Sequence, residues 1–178
     1  MRTFVISISL QGEQNKNYNQ DEFLQLACSL SALSIKRNLA LRLVKSDPAF
    51  FISKGHLNDI RNYISDNDIG LLLIDNTLTP IQQRNLEKKL MAKVLDRTGL
   101  VLEIFGSRAQ SKEGKLQVEL AHLIHQKSRL VRSWTHLERQ RGGKGFLGGP
   151  GETQIESDKR SLASKITNIR KSINKVRR

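Results

Sequence analysis

The chain has 178 residues, with 30 Lys and Arg against 17 Asp and Glu, which gives a formal net charge of +13 at pH 7. This length fits one ordinary domain, or a smaller domain with an appended segment. No window approaches the roughly 18 consecutive apolar residues that a membrane-spanning helix needs. The sequence therefore excludes a helical membrane span, and we expect a cytoplasmic protein.

The positive charge is concentrated in the C-terminal part of the sequence. Residues 1–106 contain 13 Lys and Arg and 11 Asp and Glu, whereas residues 107–178 contain 17 and 6. A basic segment joined to a nearly neutral one indicates a polyanionic partner, because binding to phosphates releases condensed counterions. Nucleic acid is the first candidate, and an anionic membrane surface is the second.

The first part of the chain alternates short apolar runs with helical patterns. The apolar runs predict strands over Phe4–Leu10, Asn38–Val44, Gly70–Asp75 and Leu100–Phe105. Helices are predicted from an N-cap at Asp21 to Leu33, over residues 56–64, and from Thr79 and Pro80 to Val94. This alternation predicts an α/β fold, a small parallel sheet of about four strands with flanking helices, whose strand order stays open.

From Ser111 onward the pattern is helical only. Apolar side chains recur at steps of three, four and seven, which predicts one long helix with an apolar face. The residues of this face are Leu116, Leu120, Leu123, Ile124, Leu130, Val131, Trp134 and Leu137. The same periodicity places a basic group on the opposite arc: His122, His125, Arg129, Arg132, His136 and Arg139.

A glycine-rich segment separates this helix from a second one. Six of the 12 glycines lie between Gly142 and Gly151, a density that predicts a loop. Thr153 and Glu156 have the spacing of a capping box, so the second helix is expected to begin at about Gln154. Its apolar stripe consists of Ile155, Leu162, Ile166, Ile169, Ile173 and Val176.

Two helices with apolar faces predict a long antiparallel, coiled-coil-like hairpin, because neither helix can bury its stripe alone. At ~1.5 Å per residue, the loop would lie roughly 40 Å from the base of the hairpin. We therefore expect an α/β domain over residues 1–109 and a helical hairpin over 110–178, with a tip loop at 142–153.

Motifs for catalysis or metal binding are not evident. The segment Gly143–Gly148 matches G-x-G-x-x-G, but it lacks the preceding strand and the immediately following helix that a dinucleotide site requires. No P-loop motif and no zinc-ligand spacing among the four histidines occur. We therefore predict no catalytic residue, no metal ligand and no cofactor bound by this chain. Cys28, the single cysteine, lies among apolar residues and is expected to be a buried, inert thiol.

The basic helix face and the glycine-rich tip together favour RNA binding. Tip glycines allow close approach of another backbone, and Lys144 adds a cation. Phe146 either stacks on a base or packs on the end of the hairpin. Two other interpretations stay open: nucleotide binding by the α/β domain, where Asp75 and Asn76 end a strand, and a basic module that binds proteins or membrane surfaces.

Several segments resemble the HflX-type ribosome-associated GTPases. The likeness is strong and in order from about Gln83 to Arg160. It rests on the runs Gln83–Glu87, Asp96–Thr98, Ile104–Ala109, Glu113–Ala121, Trp134–Gln140, Gly148–Glu156 and Asp158–Arg160.

The resemblance implies a protein that binds the large ribosomal subunit and its rRNA. It would push the hairpin tip toward the peptidyl transferase centre and split ribosomes stalled by stress, under control of GTP. By position, the tip contacts would be Gly149, Pro150, Gly151, Glu152, Thr153 and Gln154. From charge, the phosphate-binding side chains would be Arg129, Arg132, Arg139, Arg141, Lys159 and Arg160.

In similar proteins a GTP-binding domain follows the second helix, whereas this chain ends at Arg178. GTP and Mg²⁺ would belong to that absent domain. We therefore expect a monomeric chain that binds rRNA and does not hydrolyse GTP by itself.

Overall fold

The computed structural model describes the backbone of residues 1–11, 17–140 and 150–177, and the side chains of 1–11, 21–129 and 157–177. The chain divides into two compact units, Met1–Ile104 and Phe105–Arg178, called here the N-terminal unit and the C-terminal unit. No helix within the described residues is long and apolar enough to cross a membrane.

The N-terminal unit is built on a four-stranded parallel sheet. Its strands are β1 (Arg2–Leu10), β2 (Ser34–Leu43), β3 (Leu71–Ile74) and β4 (Lys93–Asp96). They lie in the order β2-β1-β3-β4, so β1 and β3 are central and are buried on both faces. The small parallel sheet predicted from the sequence is confirmed.

Helices cover both faces of this sheet. They are α1 (Asn17–Cys28), α2 (Lys54–Asp66), α3 (Pro80–Leu90) and α4 (Arg97–Arg108). Alternate residues of β1 enter two separate cores, because successive strand side chains point to opposite faces. Phe4 and Ile6 pack in the core that α2 and α3 cover, whereas Val5 packs with Phe23 of α1 and Leu100 of α4.

The last predicted strand is wrong. Leu100–Phe105 lies inside α4, and the fourth strand is Lys93–Asp96, whose first two residues are predicted from the sequence to end the preceding helix. Met91 adopts a left-handed conformation with φ of 54° and ends α3 early. Asp96 then ends β4 and starts α4, because its Oδ1 accepts a hydrogen bond of 2.8 Å from the amide of Gly99.

Two other local predictions have opposite outcomes. Thr79 caps α3 as expected: its hydroxyl accepts a hydrogen bond from the amide of Gln82, and the Gln82 side chain accepts one from the amide of Thr79. Cys28, in contrast, is exposed and not buried. Phe23 and Ala27 fill the buried face of α1, and Cys28 lies about 100° further round the helix.

The C-terminal unit contains two long helices, α5 (Lys112–Gln140) and α6 (Pro150–Val176). The first agrees with the predicted long helix. The second begins four residues earlier than expected, at Pro150, so Pro150–Thr153 are helical and do not belong to the loop. Proline fits the first turn of a helix because it has no amide hydrogen to satisfy there. The rest of the predicted tip, residues 142–149, lies outside the described residues.

Asp96→Ala is expected to lower the free energy of unfolding of the N-terminal unit by about 1–2 kcal/mol, because it removes the cap of α4. The carboxylate is 1% exposed and also accepts a long hydrogen bond, 3.4 Å, from the amide of Leu78. Urea titration followed by circular dichroism measures the change. Glu103→Ala, at an exposed position on the same helix, is the control and should change stability by less than about 0.5 kcal/mol.

Candidate RNA-binding surface

The surface of interest is carried by α5 and α6, which pack against each other through their apolar residues. Ile166, Ile169 and Ile173 of α6 are buried, with exposed fractions of 6–9%. They recur at steps of three and four, so they form one ridge along the helix. On α5, Leu116, Leu120 and Leu123 are partly buried at the same spacing.

A polar contact fixes which ends of the two helices meet. Arg177, which follows α6, donates a hydrogen bond of 2.7 Å from Nε to Oε1 of Glu113 in the first turn of α5. The same oxygen accepts a hydrogen bond of 2.9 Å from Gln117. The beginning of α5 therefore lies against the end of α6.

Two residues assigned to the apolar stripes are exposed. Ile124 is 44% exposed and Val176 is 38% exposed. Ile124 follows Leu123 directly, so the helix turns it about 100° away from the ridge that Leu116, Leu120 and Leu123 form.

Positive side chains dominate the described surface of the C-terminal unit. Its described segments, 105–129 and 157–177, contain only three acidic residues, Glu113, Glu119 and Asp158. Ten basic side chains in the same segments are exposed: Arg108, Lys112, Lys115, Lys127, Arg160, Lys165, Arg170, Lys171, Lys175 and Arg177. Such an excess attracts phosphate groups by charge alone.

The predicted basic face of α5 is less solvated than expected where its side chains are described. His122, His125 and Arg129 are half-buried. Nη1 of Arg129 lies 3.2 Å from Nε2 of His125, one helical turn earlier. A guanidinium can only donate hydrogen bonds, so Nε2 of His125 is the acceptor in this contact.

Three of the predicted site residues lie among the described side chains. Arg129 and Lys159 are half-buried, and Arg160 is exposed. Backbone alone is described for seven others, in α5 or α6: Arg132, Arg139, Pro150, Gly151, Glu152, Thr153 and Gln154. The remaining four, Arg141, Lys144, Phe146 and Gly149, lie outside the described residues.

The sequence-based prediction missed basic residues near the other end of the helix pair. Arg170 and Arg177, together with Gln117 and Asn174, line a shallow groove between α5 and α6 above Leu120 and Ile173. Their spacing of seven places both arginines on the same side of α6. This i, i+7 spacing was the available signal, but the prediction weighed only the arginines nearer the loop.

The carboxyl edge of the sheet in the N-terminal unit carries a different set of charges. Arg97 donates hydrogen bonds to Asp75 at 2.9 Å and to Glu22 at 2.8 Å. Burial opposes the charge of this guanidinium, but the bonds to Asp75 and Glu22 outweigh it and raise the pKa of Arg97. Among the described residues, no group of three or more His, Cys, Asp and Glu is arranged to hold a metal ion.

Comparison with protein families accounts for nearly the whole chain. A family model described as the GTP-binding GTPase N-terminal region matches residues 16–106. A second, described as the GTP-binding GTPase middle region, matches residues 108–178. The chain thus has the two-part architecture of the N-terminal and middle regions of GTP-binding GTPases.

Curated relatives specify the family. GTPase HflX of Magnetococcus marinus is 50% identical over 158 residues, which cover 89% of this chain and 36% of the relative. GTPase HflX of Escherichia coli K12 is 49% identical over 129 residues, or 72% of this chain and 30% of the relative. The relative from Flavobacterium psychrophilum is 36% identical over 97% of this chain and 42% of its own length. The chain belongs to the HflX family of GTPases, and it spans less than half the length of these relatives.

Solved structures show the same fold. The crystal structure of SsGBP in complex with GDP superposes with a TM-score of 0.70 at 23% identity, covering 99% of this chain and 44% of that one. A GTP-binding protein from Sulfolobus solfataricus, also in complex with GDP, gives a TM-score of 0.62 at 24% identity over 96% of this chain and 46% of that one. At this identity the likeness concerns the fold alone.

Ile173→Ala is expected to lower the stability of the packed α5–α6 pair by about 2–4 kcal/mol, because it leaves a cavity between the helices. Hydrogen exchange of the α6 amides measures this change. Ile124→Ala removes the same atoms from an exposed position and should cost less than about 1 kcal/mol. Equal protection in the two variants would contradict the assigned interface.

Proposed function

We propose that this chain is the ribosome-binding part of an HflX-type GTPase. It binds the large ribosomal subunit through rRNA and presents the glycine-rich segment near residue 145 toward the peptidyl transferase centre. In doing so it splits or rescues stalled ribosomes. The observation that carries this proposal is the exposed positive charge along α5 and α6. In water, such charge binds phosphate backbones by releasing their counterions.

The register of the two helices supports a projecting hairpin. Glu113 meets Arg177, and Gln117 and Leu120 share a groove with Ile173 and Arg170. In the pairs Glu113–Arg177, Gln117–Ile173 and Leu120–Arg170, the two residues lie at equal sequence distances from position 145. The end of α5 at Gln140 and the start of α6 at Pro150 obey the same symmetry. These spacings are those of an antiparallel helix pair, which supports the proposal that the glycine-rich segment is presented outward.

The same register brings four of the proposed RNA-binding positions to one level along the helix pair. Arg129 falls opposite position 161, and Arg132 opposite position 158, so both lie within about one helical turn of Lys159 and Arg160. The described positive side chains among them, Arg129, Lys159 and Arg160, suit contacts with the phosphates of an RNA backbone.

GTP binding and hydrolysis are assigned to the portion of the whole protein that lies outside these residues. The 178-residue sequence contains no G-x-x-x-x-G-K-[ST] motif, with which a P-loop GTPase binds the phosphates and Mg²⁺. The matched relatives are called GTPases and are more than twice as long as this chain. Binding to the ribosome is therefore the task of this part, and GTP controls it from the other.

Replacing Arg129, Arg132 and Arg139 together by Glu is expected to weaken binding to large ribosomal subunits. In a duplex-like site, the logarithmic salt dependence should flatten by about 0.9 for each phosphate that the variant no longer neutralises. Co-sedimentation with purified large subunits at several salt concentrations measures both effects.

A matched control reverses the same number of charges on the N-terminal unit. Arg84, Lys88 and Lys89 are exposed on α3, and their joint replacement by Glu should leave the salt dependence unchanged. Equal losses of affinity in the two triple variants would mean that net charge alone drives binding. Binding to anionic vesicles as strong as binding to RNA at the same salt would favour a membrane-surface module instead.

A second candidate function is nucleotide binding by the N-terminal unit. The next strand in sequence, β2, lies on one side of β1, and β3 lies on the other side. The sheet therefore has a topological switch point between β1 and β3. Open parallel sheets bind ligands at such points, at the carboxyl ends of the strands. Oγ of Ser7, 2% exposed on β1, has no hydrogen-bond partner among the described residues.

Calorimetric titration of the purified chain with ATP and with GTP tests this second candidate. Saturable heat is expected, and Asn76→Ala, which shortens a polar side chain just after β3, should reduce the affinity. Asn58→Ala, on an exposed part of α2, is the matched control and should bind like the unsubstituted chain. Absence of heat with both nucleotides would rule this function out.

A further inference from the structure

The ten-residue strand β2 forms an open edge of the sheet. Among the described strands it pairs with β1 alone. The carbonyl of Leu43 accepts a hydrogen bond of 2.9 Å from the amide of Gln11, so the odd-numbered residues at this end of β2 bond toward β1. Backbone groups of Asn38, Ala40 and Arg42 therefore face away from the sheet, and their side chains are exposed.

A shift in strand register re-aims one side chain beside this edge. Ile35 pairs with Thr3, but Arg37 pairs with Phe4, so Lys36 is an extra residue in β2. The shift moves Arg37 to the face of the sheet that α2 covers. There the guanidinium carbon lies 4.6 Å from the ring centre of Tyr63 and 5.6 Å from that of Phe4. These distances fall within the range of cation–π contacts, which hold the guanidinium in place.

A groove lies between β2 and α2 at the position to which Arg37 is turned. Its floor is apolar and is formed by Phe4, Leu39, Leu41 and Ile60. Its polar groups are Arg37, His56 and Asp59. Nδ1 of His56 lies 2.8 Å from Oγ of Ser53, which fixes the orientation of the imidazole.

The charge along this edge has one sign. The sequence contains no Asp or Glu from Phe23 to Ser46, whereas Lys36, Arg37, Arg42 and Lys45 are exposed cations. Lysine and arginine on a free edge also oppose pairing between two copies of the same strand. The charge of the edge is therefore complementary to an acidic partner and not to itself.

We infer that β2 and its groove form a binding site for an extended acidic peptide, which adds to the sheet as a fifth strand. The backbone of the peptide pairs with Asn38, Ala40 and Arg42. Side chains at every second peptide position point to the α2 face, because strand side chains alternate. One apolar side chain enters the groove beside Arg37, and carboxylates at the alternate positions, on the opposite face, contact Arg42.

A peptide fits these features better than an RNA strand does. Outward-facing amides and carbonyls alternate along β2, and a peptide supplies both acceptors and donors at the same spacing. Phosphates supply acceptors only, and the donors of RNA are 2′-hydroxyls and base edges, which are not part of a regular backbone ladder.

A fluorescent probe peptide, acetyl-Asp-Val-Glu-Leu-Glu-Val-Asp-amide, tests the site by anisotropy and by amide hydrogen exchange of the full chain. Binding should slow exchange at the amides of Asn38, Ala40 and Arg42. The same peptide with its alternate backbone nitrogens methylated keeps its charge but loses donors, and it should bind at least about tenfold more weakly. Equal binding of the methylated peptide would overturn the proposal.

Two variants of the protein test the same site independently. Ala40→Pro removes an amide that faces solvent, a position where an edge strand tolerates proline, and it should weaken peptide binding at least about tenfold. Ala40→Val keeps the amide and should bind within about twofold. Unchanged affinity in Ala40→Pro would overturn the proposal. So would protection of these amides by an oligouridine that outcompetes the peptide at the same salt.

Discussion

Pairing of α5 with α6 is the interaction on which the account of the C-terminal unit depends, because these helices repel each other through their charges. Burial of Ile166, Ile169 and Ile173 stabilises the pair by roughly 1.5–3 kcal/mol for each side chain. Like charges at the surface are screened by water and salt, and each pair of them costs a fraction of this. The apolar ridge therefore holds together two helices whose surfaces favour a polyanion.

In this unit packing supplies the stability of the helix pair, and the Glu113–Arg177 contact helps to set its register. An exposed ion pair of this kind adds little stability, but it specifies which turns of the helices lie together. With the register set, cations from distant parts of the chain come to the same height on the two helices. An anionic partner that binds there also relieves the repulsion between the helices, so binding and pairing support each other.

The sequence predicted the parallel sheet and the long helices well, because strands buried on both faces and amphipathic helices leave strong periodic patterns. It failed at Leu100–Phe105, where a run of Leu, Val, Ile and Phe fits both a strand and a helix. The deciding residue was Asp96, whose position before Arg97, Thr98 and Gly99 is that of a helix cap. A four-residue strand such as β4 is too short to show its own period.

Other features depend on tertiary pairing and leave no local signal. Lys36 is an extra residue only with respect to the pairing of β2 with β1. The alternation of residues within β2 therefore does not show that Arg37 lies on the face that α2 covers. Exposure of Cys28 follows from the way in which Phe23 and Ala27 seat α1 on the sheet. In the candidate RNA-binding surface, charge counting predicted the excess of exposed basic side chains, whereas the partial burial of His122, His125 and Arg129 required the packed helices.

Directed hydroxyl-radical probing tests most directly whether the α5–α6 pair faces RNA. An iron chelate is tethered at Arg160→Cys, or at Lys88→Cys on α3, in a chain whose exposed Cys28 is replaced by Ser. With large ribosomal subunits bound, the account predicts strong cleavage of rRNA at a few positions from 160 and much weaker cleavage from 88. Strong cleavage from 88 with none from 160 would contradict it.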